Sequence, residues 1–313
     1  NKVCIIIVIV MFYIIIPVFN EEGSLNELYL QINEPVKNYN EYEIVFIDDG
    51  SSDKSKIIIQ NIIKEDPRVK LISFFRNFGK SAALSEGFKY ATGDIIVTMD
   101  ADLQDDPNEI PALINKLNQG FDLVSGWKKK RFDPWTKTFP SKIFNFVTRL
   151  LTGIKIHDFN CGLKAYRNSV VKSIEIFGGR HRYIPALAGQ KNFSVTEIEV
   201  NHRPRVHGQT KYGSSRIFHG FFDLLTILFL NKYTQQPLHF FGAIGLMFFS
   251  FGFFTQMLVL YYKFILLEPF SKHMALLLLG IVLIIIGIQF FSIGLLGEIM
   301  ARHSQGKEDR VKE

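Results

Sequence analysis

Over the first two thirds of the chain, short apolar runs alternate with segments whose apolar residues recur at helical spacing, and nearly every run closes on polar, often acidic residues. The runs predict strands at about Phe12–Ile16, Tyr42–Ile47, Val69–Phe74, Ile95–Met99 and Phe121–Ser125, with a late alternating strand over Val195–Val200. Helices are expected from Asn20 or Ser24 to about Val36, with Glu21 and Glu22 in the first turn, then around Ile57–Ile63, from Ser81 to about Tyr90, from Pro107 to Asn118, and near Asn168–Ile176. In Asp48-Asp49-Gly50-Ser51-Ser52-Asp53 the glycine allows a tight turn and the hydroxyls can cap the following helix. Strands alternating with helices give an α/β fold, a Rossmann-like and mostly parallel sheet covered on both faces. Ligands then bind beyond the C-terminal strand ends, where the polar motifs up to Asp102 lie.

The pattern changes toward the C-terminus. Phe240 to Tyr262 and Met274 to Gly297 contain no charged residue, and as helices both are long enough to cross about 30 Å of hydrocarbon. The chain therefore divides into a catalytic-type domain over 1–213, an interfacial segment over 214–236 with its apolar stretch at Phe218–Leu230, two membrane spans within 237–300, and a tail over 301–313. Arg302, Lys307, Arg310 and Lys312 put that tail on the cytoplasmic side, and two spans return the N-terminal domain to the same side. At the other end, Val3–Ile16 reads as a signal core, a short membrane segment or a buried strand. Its second half is assigned to the first strand and residues 1–10 are left unassigned. Cys4 and Cys161 form no disulfide framework or metal-ligand spacing and fit a reducing compartment. A formal charge of +6, with clustered basic residues, favours an anionic partner such as phosphate or a lipid headgroup; no nucleic acid is implied.

The chemistry concentrates where the run Ile95–Met99 stops at Asp100 and Asp102. On an extended backbone both carboxylates face one way, about 6–7 Å apart, and repel unless a cation lies between them. Oxygen ligands suit a hard cation, Mg²⁺ or Mn²⁺, which also bridges phosphates. Two basic segments accompany the acidic pair. Lys128–Arg131, Lys137, Lys142 and Arg149 interleave with Trp135, Phe139, Ile143, Phe144, Phe146 and Val147, as on an element lying on an anionic membrane surface, and Lys137 and Ser141 share a helix face. Further on, Arg203, Arg205 and Lys211 surround a glycine in a loop suited to folding over a diphosphate.

Taken together, Pro17-Val-Phe-Asn-Glu-Glu22, Asp48-Asp-Gly-Ser-Ser-Asp53, Arg76-Asn-Phe-Gly-Lys80, Gly93-Asp94, Asp100-Ala-Asp-Leu-Gln104 and Arg205-Val-His-Gly-Gln-Thr-Lys211 resemble the family 2 glycosyltransferases of GT-A fold. More narrowly the chain is similar to the polyprenyl-phosphate glycosyltransferases, the group of dolichol-phosphate mannose synthase and bactoprenol glucosyltransferase, from about Ile14 to Arg302. The resemblance implies that Pro17, Phe19, Glu21, Asp48 and Asp49 hold the nucleoside, with Lys80 and Ala101 also in the nucleotide-sugar site. It places Asp100 and Asp102 at the ribose, metal and diphosphate, and Gln104 as completing the metal site. Arg205 and Lys211 would clamp the diphosphate, with Thr210 where serine is commoner. Asp158 falls near the sugar. Lys128, Lys137 and Ser141 match lipid-phosphate positions; relatives have arginine at the first two, so lysine keeps the charge and loses the fork.

The implied reaction is inverting transfer of a hexose, glucose from UDP-glucose, onto undecaprenyl phosphate at the inner (plasma) membrane of a bacterium. The alternatives are a GDP-mannose-dependent mannose synthase, a 4-amino-4-deoxyarabinose transferase, and a non-enzymatic membrane-anchored nucleotide-sugar binder. A processive polysaccharide synthase is disfavoured because the Gln-x-x-Arg-Trp segment and additional spans are missing. A lipid phosphate, with a second ionisation near about pH 6, is already an anionic nucleophile at neutral pH, so positioning and charge neutralisation rather than a strong base carry the chemistry. Homo-oligomerisation is left open.

Overall fold

The computed structural model describes residues 11–37, 39, 41–129, 141, 145–150, 152–204 and 237–304, with the backbone alone over 301–304. Contacts divide the chain into two units, Asn1–Leu224 and Leu225–Glu313.

In the first unit the β-branched and aromatic runs form strands β1 (Phe12–Val18), β2 (Tyr42–Asp48), β3 (Val69–Ser73), β4 (Ile95–Thr98), β5 (Leu123–Trp127), β6 (Lys164–Arg167) and β7 (Val195–Glu199). They make one sheet in the order β3-β2-β1-β4-β6-β5-β7. β6 runs antiparallel to both β4 and β5, while the other pairings are parallel. Helices α1 (Leu25–Val36), α2 (Ser55–Glu65), α3 (Lys80–Tyr90), α4 (Ile110–Leu117), α5 (Asn168–Ser173) and α6 (Ile184–Gln190) cover it.

Because side chains alternate along a strand, the sheet has two cores. Phe12, Ile14, Ile16, Ile44 and Phe46 pack with Leu28 and Ile32 of α1, Ile59 of α2 and Leu113 of α4. On the other face Tyr13, Ile15, Val45, Ile47, Ile96 and Tyr166 pack with Leu84 and Phe88 of α3 and Ile184 of α6. Burial on both faces is why these strands read as continuous apolar runs rather than alternating ones. Pro17 lies in central β1, where an imino acid breaks a ladder, but the β1–β4 pairing stops at Ile15–Thr98, so no bond is lost there.

The expected strands and helices are present with shifted ends; β5 begins at Leu123 rather than Phe121, and Pro107 opens a 3₁₀ turn before α4. β6 and α6 are additions. Lys164-Ala-Tyr-Arg167 hides its strand character because a buried lysine and an arginine bound it, leaving no continuous apolar run of the kind a doubly covered strand shows.

In the second unit α7 (Pro237–Phe264) and α8 (Met274–Ser304), of 28 and 31 residues, form an antiparallel hairpin long and apolar enough to cross a membrane. Large apolar side chains such as Leu246, Phe254 and Leu296 face outward, as in a segment solvated by lipid. The seam is built from glycine: a Cβ on Gly245 would sit 2.7 Å from the Gly287 carbonyl, and one on Gly252 would sit 2.7 Å from that of Gly280. Gln256 donates its amide to the Leu277 carbonyl at 2.8 Å.

Candidate active site

The C-terminal strand ends meet at the acidic loop after β4. The ladder ends at Thr98 and the loop bends, with buried Leu103 at φ 61°, so Asp100 and Asp102 sit on a turn rather than side by side on an extended strand. A left-handed leucine is strained, and the surroundings hold it. Ser24 donates to the Ala101 carbonyl at 2.7 Å, and the Arg203 amide donates to the Gln104 carbonyl at 3.0 Å. Asp106 pairs with Arg203 at 2.7 Å, and Asp102 accepts the Gln104 amide at 3.2 Å. Ser24, expected to cap α1, is thus spent on the acidic loop, and its side chain caps no helix N–H.

Asp100 is the centre of the charge cluster. It pairs with Lys80, the first residue of α3, and its backbone amide donates to Asp105 at 3.3 Å. Burial alone would raise its carboxyl, but Lys80 above all, with Lys128 and Lys164, pulls it down to about 2. Opposite it stands Gly162; a Cβ there would fall 2.6 Å from the Asp100 carboxylate, so only glycine leaves room. Lys128 lies with Asp105 at 2.7 Å, its side chain 13% exposed, under the acidic loop rather than on an open lipid-facing surface. Burial would lower its ammonium, and Asp105 more than reverses this, holding it above the ordinary lysine value.

On the nucleoside side two strand-end loops are stitched together. The Asn20 and Glu21 amides donate to Ser51 and Ser55 at 3.0 and 2.9 Å, and the Ser52 and Lys54 amides donate to Asn20 and Glu22 at 2.8 and 2.9 Å. The serines therefore bind the neighbouring loop rather than capping α2, whose start is held by Asp53 accepting the Ser55 amide. Asp48 is buried and accepts from the Ser51 amide and the Ser73 hydroxyl. Asp49 accepts the Phe78 and Gly79 amides at 2.7 and 2.9 Å, fixing the turn that starts α3; burial, only partly offset by those two donors, raises its carboxyl. Gly50, at φ 70°, lies so close to the backbone of Arg76 that no side chain fits.

Pro17 lines a small, partly open hollow beside Asp100 together with Lys80, Asn160, Gly162, Lys164 and His181. Phe19 is half-buried at the end of β1. Asp158 is buried, accepts the Asn160 amide at 3.1 Å through its carboxylate and the Ser125 hydroxyl at 3.2 Å through its carbonyl. Ser141 is helical; Lys137, Arg205 and Lys211 lie outside the described residues. Residues the sequence did not flag complete the cluster. Lys164 is fully buried and burial lowers its ammonium; His181 exchanges hydrogen bonds with Ser81, and burial, then the Lys80 charge, lowers its imidazole well below the usual value. The buried Cys161 thiol is pushed up to about 12 by burial and is no nucleophile.

For a divalent cation the described residues offer the carboxylates of Asp100 and Asp102 and the amide oxygen of Gln104, a hard oxygen set, and no group of three His, Cys, Asp or Glu. So few protein ligands fit an ion such as Mg²⁺, which keeps positions for water and substrate phosphate.

Residues 13–175 match the glycosyl transferase family 2 profile. The dodecaprenyl-phosphate galacturonate synthase of Rhizobium johnstonii is 36% identical over 298 residues, covering 92% of this chain and 87% of that protein. The chain belongs to glycosyltransferase family 2. Another relative of this glycosyltransferase is the undecaprenyl-phosphate 4-deoxy-4-formamido-L-arabinose transferase of Shewanella sediminis, 37% identical over 92% of this chain and 86% of that one. Among solved structures, glucosyl-3-phosphoglycerate synthase from Mycobacterium tuberculosis, in complex with Mn²⁺, UDP-glucose and phosphoglyceric acid, superposes with a TM-score of 0.55 at 17% identity. It covers 70% of this glycosyltransferase and 80% of that chain, and shows the shared GT-A fold.

Proposed function

We propose that this glycosyltransferase transfers a sugar from a nucleotide donor to a polyprenyl phosphate at a membrane surface, with its catalytic domain and C-terminus in the cytoplasm of a bacterium. The observation that carries the reading is the extent of similarity to enzymes named for polyprenyl-phosphate acceptors. A match over 92% of the chain leaves too few residues uncovered to omit either apolar helix, of 28 and 31 residues. Those relatives are named for galacturonate and formamido-arabinose, so a uronate or a 4-substituted pentose takes precedence as the donated sugar over the glucose expected from the sequence.

In this reading a phosphate oxygen of the lipid attacks the anomeric carbon as the bond to the donor diphosphate breaks, with inversion, and the nucleoside diphosphate leaves. A divalent ion, Mg²⁺ or Mn²⁺, held by Asp100, Asp102 and Gln104 would neutralise charge on that leaving group. The loops of Pro17, Phe19, Glu21, Asp48 and Asp49 hold the nucleoside and Lys80 faces the diphosphate, whose charge Arg205 and Lys211 also neutralise. Asp158 orients a sugar hydroxyl or stabilises positive charge on the ring. Lys137 and Ser141 receive the lipid phosphate, and Lys128 supports the acidic loop from below.

The test is transfer by the reconstituted protein to undecaprenyl phosphate from UDP-galacturonate, UDP-linked formamido-arabinose, UDP-glucose and GDP-mannose in turn. Mass spectrometry of the lipid and assay of released nucleoside diphosphate give the readout. Product from one of the first two donors is expected. No lipid product from any donor overturns the function, and product from glucose or mannose alone overturns the sugar.

A further inference from the structure

Lys164 is a charged side chain that the proposed mechanism leaves without a task. The register of β6 against β4 sets Lys164 opposite Thr98 and Tyr166 opposite Ile96. Opposed residues share a sheet face, so Lys164 stands on the face of Thr98; beyond the end of β4, Asp100 turns against Gly162, two residues before Lys164, and lines the same hollow as Lys164. Thr98 confirms the placement: its hydroxyl donates to the Gly162 carbonyl at 2.9 Å and lies 3.2 Å from the Tyr166 hydroxyl. The N-terminal turn of α3 and the 3₁₀ turn Arg180–Tyr183 close over this face through the Ser81–His181 hydrogen bonds. Lys164 is 3% exposed, donates to the Cys161 carbonyl, and shares with Lys80, Asp100 and His181 a partly open hollow of about 10 Å³, room for a single water.

An ammonium group taken wholly out of water is retained against a desolvation penalty unless an anion answers it. After burial, which lowers its ammonium, the groups acting on Lys164 are Cys161, Asp158 and Asp100, which favour the charge, and Lys80, which opposes it. Asp100 is thus paired directly with Lys80, and Lys128 and the buried Lys164 also act on it. Asp100, Asp102 and a donor diphosphate would place several negative charges around one divalent ion. Lys80, paired with Asp100, keeps 25% of its side-chain surface exposed, whereas Lys164 is buried.

We infer that Lys164 is a fixed counter-charge behind Asp100, a positioning residue that lets the acidic loop accept an anionic nucleoside diphosphate together with its metal. The inference rests on the nucleotide-sugar reading of this site. It makes a prediction of opposite sign for the two ligands, because a cation behind Asp100 repels a metal ion and attracts a diphosphate.

The experiment compares the full-length wild type with Lys164→Met in detergent. Mn²⁺ alone is followed by the loss of its free-ion paramagnetic resonance signal, and UDP and GDP binding in the presence of Mn²⁺ by calorimetry. Expected for Lys164→Met are a Tm at or above that of the wild type, Mn²⁺ affinity equal or a few-fold tighter, and nucleoside diphosphate affinity weaker on the order of ten-fold. Lys164→Arg should bring the diphosphate affinity back. A joint fall in both affinities with a lower Tm would mark Lys164 as packing only, and unchanged diphosphate affinity would remove its role; either overturns the inference. If Lys164→Met does not fold, Lys164→Gln, which keeps a donor for the Cys161 carbonyl, makes the same comparison. Wild-type protein that binds neither diphosphate overturns the nucleotide-sugar reading itself, whereas wild-type binding with an unaltered variant overturns only the part given to Lys164.

Discussion

Gly162 lacks a side chain because the Asp100 carboxylate fills the place where one would project, 2.6 Å away. Gly162→Ala should therefore displace Asp100 and cut turnover at least about ten-fold while the protein still folds, measured as kcat beside Tm. Asp102→Ala should abolish transfer in a membrane assay containing divalent metal; near-normal turnover would remove the metal-site argument. The pH dependence of Asp100 follows from its lowered carboxyl. Its stabilisation is complete above the unfolded-state value near about 3.9 and fades as pH falls toward about 2. Wild type and Asp100→Asn should accordingly differ in unfolding free energy above pH ~4 and converge in stronger acid. Asp100 and Asp102 were legible because a carboxylate that ends an apolar run is conspicuous. Lys164 was not, since a lysine in sequence reads as solvated and only the β4–β6 register shows it turned inward.

At the scale of elements, strands buried on both faces announced themselves as apolar runs, which made the parallel part of the sheet readable. β6 stayed hidden because it is short and carries a lysine and an arginine in its four residues. Capping chemistry misled in a consistent way: Ser24, Ser51 and Ser52 stand near helix starts, yet their hydroxyls join neighbouring loops at the site. That trade preorganises the nucleoside side and leaves α1 and α2 without side-chain caps from these serines. The apolar hairpin offers the clearest packing test. Gly252→Leu drives a branched side chain into the backbone of α8 and should destabilise the hairpin by roughly 1–3 kcal/mol, read as a lower Tm in detergent, whereas Leu246→Ala on the outer face should change it little.

For the whole molecule, the tail charges predict that a reporter fused after Glu313 stays on the cytoplasmic side; an external reporter would overturn the orientation. Lys137→Ala should raise the KM for lipid phosphate more than that for the nucleotide sugar, and the reverse order would break the proposed division of donor and acceptor ground. The family was readable because several ordered motifs and an apolar tail agree at once, while the donated sugar was not, since no motif in the sequence reports the substituents on its ring.

The Gln256 amide bears on how such a hairpin stays closed in its membrane. Within α7 alone that side chain would enter hydrocarbon with its donors unmet; the carbonyl of Leu277 answers it only once α8 is alongside. In hydrocarbon, closing the hairpin would therefore relieve an unmet amide on α7 and add a modest preference for the two helices side by side over either one apart.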